Sequence, residues 1–174
     1  MVISFEDTFL DFPSADDIAV IVFMSGCEHH CLGCQNPEAQ KLHEILSVSQ
    51  NKKVVEELIT RCKRNETKKI VLSGGDCLHP CNIDTTRFIL KELGKEYQIC
   101  IYTGYSIEEV KEMNISGFTY IKCGTFDINN KQESEKTDEY IQFINPTQNL
   151  FDSNYNQISK NGRFYFNMEN NNDW

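Results

Sequence analysis

The sequence predicts an α/β fold built on a mostly parallel sheet. Short, continuously apolar, β-branched runs of strand length alternate three times with amphipathic helical stretches between Ile18 and Cys123, the pattern of βαβ units. Length sets the size: 174 residues can bury one proper core, but a closed eight-stranded barrel takes about 250 residues. A complete barrel is therefore not expected.

Val2–Phe5 reads as a short strand, followed by an acidic loop broken by Pro13. Ile18 to Met24 is apolar throughout, as a strand buried on both faces must be. From Ser49 to about Arg64, Val54, Val55, Leu58, Ile59 and Cys62 recur at helical spacing. Lys68–Leu72 is the next strand, stopped by Ser73-Gly74-Gly75-Asp76. A helix follows from Asp84, a candidate N-cap, to Glu96, burying Phe88, Ile89 and Leu93. Gln98–Thr103 is the third strand of this series and Gly104 closes it. Ser106 with Glu109 forms a capping-box signal for a short helix ending near Met113. Thr119–Cys123 is the fourth strand and ends at Gly124. Residues 127–139 are polar and read as an exposed loop. Tyr140–Asn145 and Arg163–Asn167 alternate well enough to pair as a hairpin, and the Asn-rich tail from Met168 to Trp174 is expected to fray. The whole chain, 1–174, reads as one domain with its core over about 18–126, an extension over 127–167 and a tail over 168–174.

Composition narrows the function. Lys and Arg number 17 against 26 Asp and Glu, a net charge of −9, which disfavours a nucleic-acid partner. No apolar run approaches the roughly 20 residues of a membrane span. The first residues carry Glu6, Asp7 and Asp11 where a signal peptide needs basic ones. A cytoplasmic protein is expected, and in that compartment eight cysteines are better read as metal ligands and buried small hydrophobes than as disulfides.

Three of them stand together. Cys27, Cys31 and Cys34 occupy a loop directly after the first buried strand, at C-x3-C-x2-C spacing. That spacing lets neighbouring thiolates reach different iron atoms of one [4Fe–4S] cube, leaving the fourth iron without a protein ligand. The alternative is a zinc site completed by His29 or His30, which would make the chain a zinc-bound interaction module. In parallel sheets ligands sit beyond the carboxyl ends of the strands. The same rule brings the cysteine loop, Gly74–Asp76, Thr103-Gly104 and Gly124 to one edge. Gly74 and Gly75 would permit close backbone approach to a ligand, although Gly-Gly-Asp also makes an ordinary turn. Likewise, Thr103 with Gly104 is either a pocket wall or a plain strand terminus.

Cys27-x3-Cys31-x2-Cys34 after a buried strand, with Gly74-Gly75-Asp76 after the next, resembles the radical S-adenosylmethionine superfamily. Gly26-Cys27-x-His29-x-Cys31-x-Gly33-Cys34-x-Asn36, Ser73-Gly74-Gly75-Asp76-x-Leu78 and Tyr102-Thr103-Gly104-Tyr105 are similar to motifs of the activating proteins of anaerobic ribonucleotide reductases. The resemblance covers residues 18–124. It implies a partial, open (β/α) barrel that binds one [4Fe–4S] cluster on Cys27, Cys31 and Cys34. S-adenosyl-L-methionine would be held at Gly33, Gly74, Gly75, Asp76 and Thr103, with the Gly74–Asp76 segment on the methionine amino group. It also implies a reaction: an electron from a low-potential donor such as flavodoxin cleaves the sulfonium, and the 5′-deoxyadenosyl radical takes a hydrogen from a glycine of the reductase large subunit. A sibling reading is another small radical enzyme, such as a 7-carboxy-7-deazaguanine synthase. The sequence departs from the family pattern in three places. Cys77 stands where proline is usual, Lys122-Cys123-Gly124 lacks the usual acid before glycine, and Asn145–Asn149 only loosely matches a Ser-Asn-Gln segment.

Overall fold

The computed structural model describes residues 3–8, 11–14 and 18–166. The expected start of the first strand at Val2, the hairpin's last residue Asn167 and the Asn-rich tail lie outside them. The chain opens with strand β1 (Ile3–Thr8) and the buried β2 (Ala19–Met24). Helix α1 (Val48–Arg64), β3 (Lys69–Gly74), α2 (Ile83–Leu93), β4 (Gln98–Thr103), α3 (Ile107–Glu112) and β5 (Tyr120–Cys123) then alternate as expected. Four short strands complete the chain: β6 (Glu135–Lys136), β7 (Tyr140–Gln142), β8 (Asn149–Asp152) and β9 (Arg163–Tyr165).

The principal sheet has the order β1-β2-β3-β4-β5-β8. Its four middle strands are parallel, and β1 and β8 are antiparallel edges. Among the described residues the sheet does not close on itself, which agrees with the open barrel. The strand period of two sorts the apolar residues onto two faces. Val20, Val22, Met24, Ile70, Leu72, Ile99, Ile101 and Ile121 pack against the three helices. Ala19, Ile21, Val71 and Cys100 face a second, smaller sheet of order β6-β7-β9 through Ile141, Phe143 and Phe164. The middle strands are therefore covered on both sides, which is why they read as unbroken apolar runs.

Three local expectations change. Helix α1 begins one residue earlier than Ser49, because Ser47 caps it in a full capping box with Gln50. Helix α2 is not capped by Asp84: Asn82 occupies the N-cap position, its side chain turned inward, and the helix ends at Leu93 before Gly94. Residues 127–139 are not one exposed loop, since Leu32 pairs with Asp127 and Glu135–Lys136 adds a strand to β7. The pairing of β7 with β9 matches the expected C-terminal hairpin. Between those two strands, however, the chain crosses to β5 and lays down β8, whose Leu150 and Phe151 are too few to show a period.

Candidate metal centre and cofactor cavity

The cysteine loop leaves the end of β2 and is stitched to its surroundings through backbone. Gly26 N–H donates to Ala39 O at 2.7 Å, and Cys27 N–H to Gln40 O at 3.3 Å. Gly75 N–H donates to Met24 O and Asp76 N–H to Gly26 O, both at 2.8 Å. Asn82 adds side-chain bonds from its amide to Ser25 O and Asp76 O, each 2.8 Å. On the far side Ile128 N–H donates to Leu32 O at 3.0 Å, so the segment expected to be a free loop braces the cysteines.

All three thiols line one cavity at the carboxyl edge of the sheet, together with Asn36, Ser73–Gly75, Tyr102–Gly104, Lys122 and Gln148. Cys27 is buried, while Cys31 and Cys34 are partly exposed. Burial pushes the Cys27 thiol above its ordinary pKa. Three thiols facing one cavity form the donor set that an iron–sulfur cluster takes. Among the described residues, no three His, Cys, Asp or Glu side chains are arranged to hold a single ion.

The remaining expected site residues meet around Asp76. Its carboxylate is wholly buried and accepts from Leu78 N–H (2.8 Å), Gly104 N–H (2.8 Å), the Thr103 hydroxyl (2.8 Å) and His29 Nε2 (2.6 Å). The hydrogen bond to Asp76 raises the His29 pKa, against the opposing effect of burial. Asp76 and Thr103 thus spend their side chains on each other and on His29, tying the ends of β3 and β4 to the cysteine loop. The Ser73–Gly75 turn itself lines the cavity.

The glycines serve the same packing. A Cβ on Gly75 would stand 2.4 Å from Ala39 O and 2.7 Å from Gly26 O. At Gly74, with φ +121°, it would meet the Met24 backbone, and at Gly33, with φ +71°, the Ile128 side chain. Their close approach is to neighbouring protein segments, because the loop must lie flat on the strand ends. Gly75→Ala is accordingly expected to cost about 1–3 kcal/mol of stability, read as a lower urea midpoint in the cluster-free protein. An unchanged midpoint would contradict this packing.

Several residues stand apart from the expectations. His29 is a structural partner of Asp76, while His30 is exposed. Cys77 points its thiol at Tyr102 O (3.3 Å), and Cys81 lies against His79 Nδ1 (2.9 Å), whose Nε2 meets Glu28 at 3.0 Å. Lys122, in sequence only a departure from a motif, lines the cavity. A charged residue inside an otherwise apolar strand was its one visible signal.

An open parallel sheet carrying three cysteines into a cavity at its carboxyl edge defines an iron–sulfur protein of the α/β class. The family model for a 4Fe-4S single cluster domain matches residues 17–157, and the chain belongs to that family. Curated relatives are more specific. The chain is 30% identical over 106 residues to the anaerobic ribonucleoside-triphosphate reductase-activating protein of Haemophilus influenzae, covering 58% of this chain and 66% of that one. It is 28% identical over 108 residues to the protein of that name from Enterobacteria phage T4, covering 60% and 68%. For the Escherichia coli K12 protein the identity is 32% over 95 residues, covering 51% and 60%. These matches span 60–68% of the relatives' length. Among the described residues no helix is long and apolar enough to cross a membrane.

Proposed function

We propose that this chain is a radical S-adenosylmethionine activating enzyme that places a glycyl radical on an anaerobic ribonucleotide reductase. One observation carries the reading. Three cysteines at C-x3-C-x2-C spacing face a single cavity that also receives the Gly74-Gly75 turn and the end of β4, in a chain related to reductase-activating proteins. Cys27, Cys31 and Cys34 would hold the [4Fe–4S] cluster. Bound there, the cluster would supply one electron for reductive cleavage of S-adenosylmethionine to methionine and a 5′-deoxyadenosyl radical, which would take a hydrogen atom from a glycine of the partner.

This chain's own residues do the binding and the shielding. The Ser73–Gly75 backbone would offer carbonyl oxygens to the methionine ammonium, a group that needs acceptors. Asp76 and Thr103 position that turn and the β4 terminus from behind. The sheet, uncovered by further strands where a closed barrel would continue, leaves the cavity reachable by a loop of a second protein. Leu32 and Ile128, exposed at 59% and 42% on the brace of the cysteine loop, give that approach an apolar rim. A low-potential donor such as flavodoxin would reduce the cluster.

Anaerobic reconstitution with iron and sulfide, followed by dithionite and S-adenosylmethionine, should yield 5′-deoxyadenosine. Addition of the reductase large subunit should then give a glycyl-radical signal by electron paramagnetic resonance. Stoichiometric zinc in the native protein, with no 5′-deoxyadenosine formed, would overturn the reading. Turnover without a radical on the reductase would reassign the substrate.

A further inference from the structure

Beyond Cys27, Cys31 and Cys34 the chain has five further cysteines, and one of them differs from the rest. Cys62, Cys77, Cys100 and Cys123 are exposed by 4% or less, whereas Cys81 keeps 9%. Cys81 stands immediately before Asn82, the N-cap of α2, and its Sγ lies 2.9 Å from His79 Nδ1. His79 Nε2 in turn meets the Glu28 carboxylate at 3.0 Å. A thiol, an imidazole and a carboxylate thus stand in line, and none of the three lines the cavity of the cluster cysteines.

The backbone settles which imidazole nitrogen carries the hydrogen. Cys81 N–H donates to His79 Nδ1 at 3.2 Å, and an amide N–H can only donate. Nδ1 is therefore the acceptor, and Nε2 carries the proton and donates it to Glu28. In this tautomer Nδ1 also faces the Cys81 thiol as a base. Burial raises the thiol above its ordinary pKa, with backbone hydrogen bonds at His43 and at Cys81 itself acting the other way. The sulfur therefore holds its proton at neutral pH, and a neighbouring base that takes it makes the sulfur a nucleophile. His79 stands where such a base must stand, and Glu28 where the group that orients it must stand.

We propose that Cys81 is a modification site of this protein, a base-assisted thiol that reacts with hydroperoxides. As the sulfur attacks one peroxide oxygen, the S–O bond forms and the O–O bond breaks. His79 Nδ1 takes the thiol proton, giving up its longer bond to the Cys81 N–H, and returns it to the departing hydroxide as water. The sulfur is oxidised to a sulfenic acid and the peroxide is reduced. The position gives this modification a consequence. A Cβ built on Gly26 would stand 2.4 Å from the Cys81 sulfur, so the thiol packs on the residue before Cys27. Oxidation at Cys81 thereby changes a contact of the loop that carries the cluster cysteines. The inference goes beyond the proposed function and does not depend on it.

The test gives anaerobically reconstituted protein a pulse of hydrogen peroxide, with a chelator to hold released iron. Remaining thiols are then alkylated in denaturant and read cysteine by cysteine by mass spectrometry. Cys81 should lose its free thiol before Cys62 and Cys123 do, with a sulfenic acid trapped there by dimedone. His79→Gln should slow that loss at least about tenfold. Glu28→Gln, which leaves the imidazole in place, should slow it less. A Cys62 that stays unreacted reports that a variant is folded, and Glu28→Gln decides where His79→Gln exposes it. Cys81 reacting no faster than Cys62 and Cys123, or reacting at the wild-type rate in the folded variants, overturns the assignment. The comparison can be read with or without an assembled cluster, so a failure of the radical-enzyme reading leaves it standing.

Discussion

Replacing Cys31 with alanine is expected to abolish cluster assembly. Anaerobic reconstitution should lose at least about tenfold in iron per chain, and the variant should form no 5′-deoxyadenosine. The reason is the donor set, in which Cys31 is one of three thiols lining one cavity. His29 is engaged by Asp76, and His79 by Glu28 and Cys81. Cys27→Ala and Cys34→Ala should behave the same way. Cys62→Ala and Cys100→Ala are the controls. Both thiols are buried among apolar side chains, with pKa values pushed upward by desolvation. Their loss should leave iron content intact and cost about 1 kcal/mol of stability. Wild-type iron content in Cys31→Ala would contradict the ligand assignment.

Asp76→Ala carries the second large effect, and it is structural. Four donors converge on a carboxylate with no exposure, and removing it strands them in the interior. A loss of about 3–5 kcal/mol in urea unfolding of the cluster-free protein is expected. A loss below about 1 kcal/mol would mean that the carboxylate is dispensable there. Asp76→Asn keeps the shape but turns one acceptor toward a donor, and should fall between. The pair also has a pH signature. Because Asp76 raises the His29 pKa in the folded state, its contribution is fully present below the unfolded value of about 6.5 and is lost as pH rises through the higher folded value. Urea midpoints of the cluster-free protein should show that decline as pH rises above about 6.5, and Asp76→Asn should flatten it.

Local chemistry made much of this molecule legible before its structure. The runs Ile18–Met24, Lys68–Leu72 and Gln98–Thr103 became β2, β3 and β4 because strands covered on both faces leave no room for polar residues. Ser106 and Glu109 formed the predicted capping box since that motif closes within four residues. Features built by distant partners were harder to see. Asn82 was invisible as the head of α2, because its amide is satisfied by Ser25 and Asp76 across the loop and not by its own helix. Strand β8 was missed because four residues show no period, and its place is decided by the open edge of β5.

The same division runs through the site. Cysteine spacing, the Gly-Gly-Asp turn and the order of strands determined, without coordinates, that thiols gather at a carboxyl edge, since a parallel sheet delivers every such loop to one side. Tertiary structure decided which way the side chains face. Asp76 bonds to His29 and Thr103, because a carboxylate buried without exposure needs its donors close at hand, while Thr103 also lines the cavity. Lys122, a mere irregularity in the sequence, is among the described residues the one lysine or arginine lining the cavity, where β5 sets it beside Tyr102 with Phe143 nearby. Spacing along the chain can place ligands of one loop; only packing between segments can say which charge shares their cavity.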